Sequence, residues 1–287
     1  MSSALFSQLL NGLYENQIIP YLGSGVLADV VNKTTGKPIP ADSDSLILAM
    51  NNGQPMAAKL MYEFPRAAMN LELKKGRKFV PQFLTQLYAQ NEWTRAAVHD
   101  WLSAWRPNYV IDINRDTQLQ DSYSDEEHTL IVGVARMTAS HYRFKIYHFD
   151  GSDYFEIEQE QIDNRFPVLF KPMGTPKPEG NYIASDADYV DYITELMGGF
   201  AIPDFLKKYR QGKQYLLLGM PLNRDSERMV LSDITYDAAQ PRGWVLNKNP
   251  TDKERRFCKK IGIEIVDADI TDLLAAADFS TTQRLSA

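Results

Sequence analysis

The chain has 287 residues, of which 44% are hydrophobic and 24% charged, with a formal net charge of −6. This is the composition of a soluble globular protein large enough to bury a substantial core. The negative balance argues against nucleic-acid binding, which ordinarily shows a basic face, and no apolar run approaches the ~20 residues that span a bilayer. The single cysteine, Cys258, excludes an intramolecular disulfide and a cysteine-based zinc module. Residues 1–17 lack the basic start and cleavage site of a signal peptide, so a cytoplasmic protein is expected.

In chain order, Leu5, Phe6, Leu9, Leu10 and Leu13 recur at helical spacing behind Ser2 and Ser3, which predicts an amphipathic helix. A strand follows at about 17–22, with Pro20 marking a bulge or an outer end, because proline cannot donate to a ladder. Residues 43–105 read as several helices, broken at Gly53-Gln54-Pro55, Gly76 and Pro81. The next strand is expected at 108–113. Residues 128–157 are β-rich, with Asp150-Gly151 as a hairpin turn, and predict a β insertion at 121–163.

Strand 167–171 returns to the main pattern. Helices at 186–197 and 203–209, strand 214–219, a helix from about 225, strand 243–247, helix 251–260, strand 262–266 and helix 269–277 follow. This alternation predicts one α/β domain over 1–287, with a doubly wound, mostly parallel sheet and a loose tail at 279–287.

Five segments share a pattern: IIPYLGSGV (18–26), NYVIDINRD (108–116), PVLFKPMG (167–174), YLLLGMPLNRD (215–225) and GWVLN (243–247). Each runs apolar and then breaks into small or polar residues. In an open parallel sheet, ligands bind beyond the carboxyl ends of the strands, so the five endings suggest one crevice. Gly23-Ser24-Gly25-Val26-Leu27-Ala28 fits G-x-G-x-x-G/A, whose glycines let backbone N–H groups approach a pyrophosphate at a helix N-terminus. A plain strand-to-helix turn accounts for the same residues. No second strand ending in an acid follows, which disfavours a nicotinamide-dependent oxidoreductase, and no Lys-Ser or Lys-Thr pair supports a P-loop.

The ordered set resembles the zinc-free, sirtuin-like NAD-binding and NAD-hydrolysing proteins of bacteria. Gly23-Ser24-Gly25 matches the family's first Gly-Ala/Ser-Gly turn. Asp112-Ile113-Asn114-Arg115-Asp116 stands at Thr-Thr-Asn-Tyr-Asp, and Lys171-Pro172-Met173-Gly174 at Lys-Leu-His-Gly. Gly219 through Asp225 stands at Gly-Tyr/Thr-Ser-Leu with its following Asp, and Asn247 ends the fifth strand. Residues 184–193 look like the family's Thr-x-x-Asp-Tyr helix start. The likeness covers roughly residues 15–275.

The resemblance implies catalytic roles for Asn114, which would orient the reacting sugar or water, and for Asp116, for which helix capping is the competing role. It implies that Gly23, Ser24, Gly25, Met173, Gly219 and Asn247 hold the dinucleotide. It implies NAD as ligand or substrate, a small-molecule nucleotide as partner, and neither zinc nor another metal; a protein partner and a homo-oligomer stay open. Arg115 reads as an exposed loop arginine and Cys258 as a buried, inert thiol.

One departure bears on activity. The family's general base is the histidine of Lys-Leu-His-Gly, and Met173 stands there. A thioether is a weak acceptor and carries no proton, and losing a positioned base costs ~10²–10⁴-fold in rate. Of His99, His128, His141 and His148, none ends an expected strand, and His148 is the best substitute. Two readings follow: NAD or ADP-ribose binding with slow hydrolysis of the nicotinamide–ribose bond, or a catalytically silent nucleotide sensor or scaffold.

Overall fold

The computed structural model describes the backbone of residues 3–135 and 141–285, and the side chains of 4–135 and 141–278. The strands are β1 (Ile18–Leu22), β2 (Tyr109–Asp112), β3 (His128–Gly133), β4 (Phe144–Phe149), β5 (Tyr154–Ile157), β6 (Val168–Lys171), β7 (Gly174–Thr175), β8 (Asn181–Tyr182), β9 (Gln214–Leu218), β10 (Gly243–Leu246) and β11 (Ile263–Val266). Nine of them form one sheet in the order β11-β10-β9-β1-β2-β6-β3-β4-β5, and β7 and β8 make a separate small hairpin. The seven strands from β11 to β3 are parallel. β4 and β5 add antiparallel at the edge, so the β-rich segment extends the main sheet: β3 enters it parallel to β6, and only β4–β5 forms a hairpin. Asp150 makes that turn, its Oδ1 accepting from the Ser152 and Asp153 N–H groups at 2.9 Å.

The helices are α1 (Ser3–Tyr14), α2 (Ser43–Met50), α3 (Ala58–Met61), α4 (Phe64–Lys75), α5 (Phe79–Ala89), α6 (Ala97–Trp105), α7 (Gln118–Ser122), α8 (Asp186–Met197), α9 (Asp204–Tyr209), α10 (Asp225–Ile234), α11 (Asp252–Ile261) and α12 (Ile270–Leu285). They cover both faces of the sheet, which explains why β1, β2, β6 and β10 are buried along their whole length and read as unbroken apolar runs. Alternation splits the core in two. Ile18, Leu22, Val110, Leu169, Leu216 and Leu218 point to the face covered by α1 and the 43–105 helices. Ile19, Tyr21, Ile111, Phe170, Tyr215 and Leu217 point to the face carrying α8 to α11. Each fully buried aliphatic side chain contributes about 1.5–3 kcal/mol, so a one-residue slip in register would lose many such terms together.

Local signals set the helix ends. Thr251 and Glu254 form a reciprocal capping box at the start of α11, with Thr251 N–H on Glu254 Oε2 at 2.8 Å, and Gly262 closes it at φ +76°. Two expectations differ from the structure. Pro20 lies within β1, opposite Leu216, rather than at a bulge or strand end; the ladder to β2 begins only at Tyr21, one residue beyond the missing donor. α12 runs to Leu285, through most of the segment expected to be a loose tail, while residues 286–287 lie outside the described residues. No described helix is long and apolar enough to cross a membrane.

Candidate functional site

The carboxyl ends of β9, β1, β2 and β6 lie side by side. The chain leaves β1 toward β2 on one side and returns to β9 on the other, so the strand order reverses there, where open α/β sheets form a binding crevice. Beyond β1, residues Ser24–Leu27 form one short 3₁₀ turn rather than the expected α-helix. The glycines around it serve a loop-to-loop contact. Gly25 N–H donates to Gly219 O at 2.8 Å, and Gly23 N–H donates to Leu218 O at 2.9 Å. A Cβ on Gly25 would stand 2.8 Å from Gly219 Cα, and one on Gly23 would stand 2.6 Å from Gly219 O. Gly219 itself sits at φ +61°, and a Cβ there would stand 2.4 Å from Val26 N. These glycines bring the β1 and β9 loops together, so the backbone they admit at close range is each other's.

Beside that contact lies a cavity of about 40 Å³ lined by Ser24, Asn114, Arg115, Met173, Tyr189 and Glu227, with Ala41, Ile113 and Val230 as the apolar part of its wall. Asn114 is held firmly: its Nδ2 donates to Gly23 O at 3.0 Å and to Asp112 Oδ1 at 2.8 Å, and its backbone N–H reaches the same Oδ1 at 2.9 Å. Asp112 is fixed in turn by Lys171 Nζ, 2.7 Å from Oδ2, with both side chains fully buried. The ends of β1, β2 and β6 are thus joined through one polar chain. Met173 is buried and its carbonyl accepts from Ile183 N–H at 3.1 Å.

Arg115 is buried, against the expectation of an exposed loop arginine. Its guanidinium donates to Ile183 O at 2.6 and 3.1 Å and to Tyr189 Oη at 3.1 Å, and it stacks over Phe64 at 5.1 Å. The helix start at 184–193 forms as expected: Asp188 Oδ2 accepts from Ser185 N–H at 2.9 Å, and α8 then aims Tyr189 at the cavity.

Two predicted site residues lie elsewhere. Asn247 closes an Asx turn, its Oδ1 accepting from Asn249 N–H at 3.0 Å, and it does not line the cavity. Asp116 faces a different cavity of about 190 Å³, with Lys33, Tyr88, Trp93, Arg95 and Lys177 in its wall. Its Oδ1 accepts from Gln118 N–H at 2.7 Å, as a residue leading into α7 would, while Oδ2 is buried without a partner among the described residues. Burial raises its pKa, against the pull of Lys171. His99 belongs to this same buried group; it is fully enclosed, and burial pushes it down to about 4.

The other histidines stand away from the cavity. His128 bonds Tyr154 Oη at 2.7 Å, His148 packs on Phe166 and lies 3.5 Å from Glu127, and His141 is exposed. Cys258 is buried, with its thiol pushed up to about 11 by burial. No group of three or more His, Cys, Asp or Glu suited to a metal occurs among the described residues.

The residue that sequence reasoning missed is Glu227, on the first turn of α10 and in the cavity wall. Its Oε2 is buried without a partner among the described residues. Burial, reinforced by Glu63, pushes its carboxyl up to about 8. The available signal was an acid two residues beyond Asp225, the end of the fourth segment.

A second cavity of about 30 Å³ shares Ala41, Arg115, Tyr189 and Glu227, and extends to Ser43, Glu63, Phe64 and Arg224. Its outer wall is clasped to α10. Glu63 accepts from Asp225 N–H at 2.7 Å and Ser226 Oγ at 2.8 Å, while Arg224 reaches Asp44 at 2.9 Å and Tyr62 O at 2.6 Å.

A reversing parallel sheet with its polar cavity at the strand ends defines an open, doubly wound α/β protein of Rossmann type. Residues 108–266, more than half of the chain, match the family model described as SIR2-like domain, and the protein belongs to that family. SIR2-like domains bind NAD. The matched span contains Asn114, Asp116, Met173, Gly219 and Asn247, whereas Gly23, Ser24 and Gly25 precede it. Comparison with curated proteins gives no match.

Proposed function

We propose that the cleft at the ends of β1, β2 and β6 binds NAD or ADP-ribose and hydrolyses the nicotinamide–ribose bond slowly. The observation that carries this reading is Asn114, a neutral amide immobilised by Gly23 O and Asp112 and lining a cavity with Ser24 and Met173. Such a group can orient a ribose hydroxyl or a water without placing a charge beside a forming cationic sugar. Ser24, Asn114 and Glu227 offer the polar atoms, and Met173 and Ile113 the apolar surface, that a nicotinamide riboside would contact. In its closed form the cavity holds a few waters, which need roughly 10–15 Å³ each. Ligand entry therefore requires the wall carrying Ala41 and Phe64 to separate from α10.

A second reading, the catalytically silent nucleotide sensor or scaffold, is favoured by Met173 at the histidine position. An oxidoreductase is disfavoured, since Asp42 and Asp44 lie at the start of α2 and end no strand. The proposal places a cytoplasmic, zinc-free protein with a small nucleotide as its ligand, acting on neither nucleic acid nor membrane; it leaves a protein partner or a second copy open. ADP-ribose should raise the melting temperature, because a ligand that binds only the native state stabilises it by about 2.7 kcal/mol at a hundred times its Kd. Release of nicotinamide from NAD separates slow hydrolase from silent sensor. Absence of any shift at millimolar nucleotide would reject both readings.

A further inference from the structure

From the geometry of the cleft we infer that Glu227 is its proton acceptor, taking the proton of the water that attacks the ribose C1′ of NAD. This rests on the reading of the cleft as a NAD-hydrolysing site. Among the described residues Glu227 is the only carboxylate lining the cavity that holds Asn114 and Met173, and no imidazole lines it. Its Oε2 is enclosed yet has no hydrogen-bond partner among the described residues. A buried carboxylate oxygen is rarely left unmatched, and such exceptions mark sites where a ligand, water or proton is to be met. The first turn of α10 carries it, and the same side chain lines both neighbouring cavities.

The water oxygen forms a bond to C1′ as the C1′–N bond breaks, and that electron pair stays on the nicotinamide nitrogen, whose positive charge disappears. The water proton passes to the Glu227 carboxylate and then to solvent, leaving ADP-ribose and nicotinamide. Asn114 orients the reacting groups, and Met173 takes no part in proton transfer.

The charged and titratable groups around Glu227 come from every neighbouring element: Glu63 and Asp42 of the outer wall, Arg224 before its own helix, Arg115 beyond β2, Tyr189 of α8 and Tyr21 of β1. Burial and Glu63 raise Glu227, Arg224 and Arg115 pull it back, and the balance lies at about 8. At neutral pH only about one molecule in ten carries the ionised base, which makes slow turnover a property of the acceptor itself.

The experiment follows nicotinamide release from pH 6 to 9.5 in the unmodified chain and in Glu227→Gln, with ADP-ribose thermal shifts and ligand-free melting temperatures measured beside it. The expected result is a rise of about tenfold between pH 7 and 9 with a midpoint near 8. In Glu227→Gln that rise should vanish and turnover should fall ~10²-fold or more, with the ADP-ribose shift retained. Without ligand, a carboxyl raised in the folded state loses stability as pH climbs through its folded value, so Glu227→Gln should melt higher than the unmodified chain at pH 9. Glu227→Gln keeping both the rate and the pH rise overturns the role of Glu227 alone. No release at pH 9 from a chain that binds ADP-ribose also overturns it. Failure of ADP-ribose to bind the unmodified chain overturns the reading of the cleft and the inference with it.

Discussion

Replacing Lys171 by methionine tests the polar chain beneath the cleft. Lys171 Nζ lies 2.7 Å from Asp112 Oδ2 and neither side chain reaches solvent, so the substitution strands a carboxylate in the interior. Breaking a buried pair from one side costs about 3–5 kcal/mol, because the remaining charge keeps its desolvation penalty and loses its partner. Against the 5–15 kcal/mol typical of a folded protein, that is about a fifth of the stability or more. Lys171 also offsets the burial of Asp116, so its loss leaves the repulsion between Asp112 and Asp116 without that counter-charge. The companion variant removes both charges, Lys171→Met with Asp112→Asn. It preserves the Oδ1 acceptor for Asn114, and removing a buried pair whole is often close to neutral, so most of the loss should return. Urea unfolding of the four proteins of the cycle gives the coupling directly, and we expect at least ~2 kcal/mol. A single variant costing under ~1 kcal/mol, or a cycle that adds without coupling, would refute the view that this pair is held by mutual charge in a dry interior.

Two further outcomes are expected. Gly25→Val should lower the melting temperature without any ligand, because its Cβ meets Gly219 Cα at 2.8 Å; unchanged stability with lost ADP-ribose binding would instead favour a direct pyrophosphate contact. Met173→His introduces an imidazole into the cavity shared with Asn114 and Glu227, and nicotinamide release at pH 7 should rise. A variant that binds ADP-ribose yet releases none would show that the cavity has drifted beyond one substitution.

The elements of the sheet were legible because each has a physical signature along the chain. Strands buried on both faces read as apolar runs, and Asp150-Gly151 marks the turn between β4 and β5. The strand-end placement of Asn114, Met173 and Gly219 was legible for the same reason. What was hidden depends on three-dimensional pairing. The partnership of Lys171 with Asp112 spans 59 residues, and that of Arg115 with Ile183 spans 68. The separation of Asp116 from Asn114 turns on which way a loop faces, which spacing does not encode. Pro20 misled because only the register of the β1–β2 ladder reveals where its missing N–H is tolerated.

The clasp on α10 has a thermodynamic consequence. If the cleft admits its ligand only when the wall bearing Glu63 and Asp44 lifts away, measured affinity is the intrinsic affinity multiplied by the fraction of molecules that stand open. Every ~1.4 kcal/mol in the clasp then dilutes the competent population tenfold. The Arg224–Asp44 pair is half exposed on its acidic side, with 55% of the Asp44 side chain accessible, and contributes at most about 1 kcal/mol. The enclosed bonds from Glu63 to the start of α10 are the heavier hinge pin. Sequence drift at residues 44 and 63 can therefore retune the occupancy of the cleft in a cell while Ser24, Asn114 and Glu227 stay unchanged.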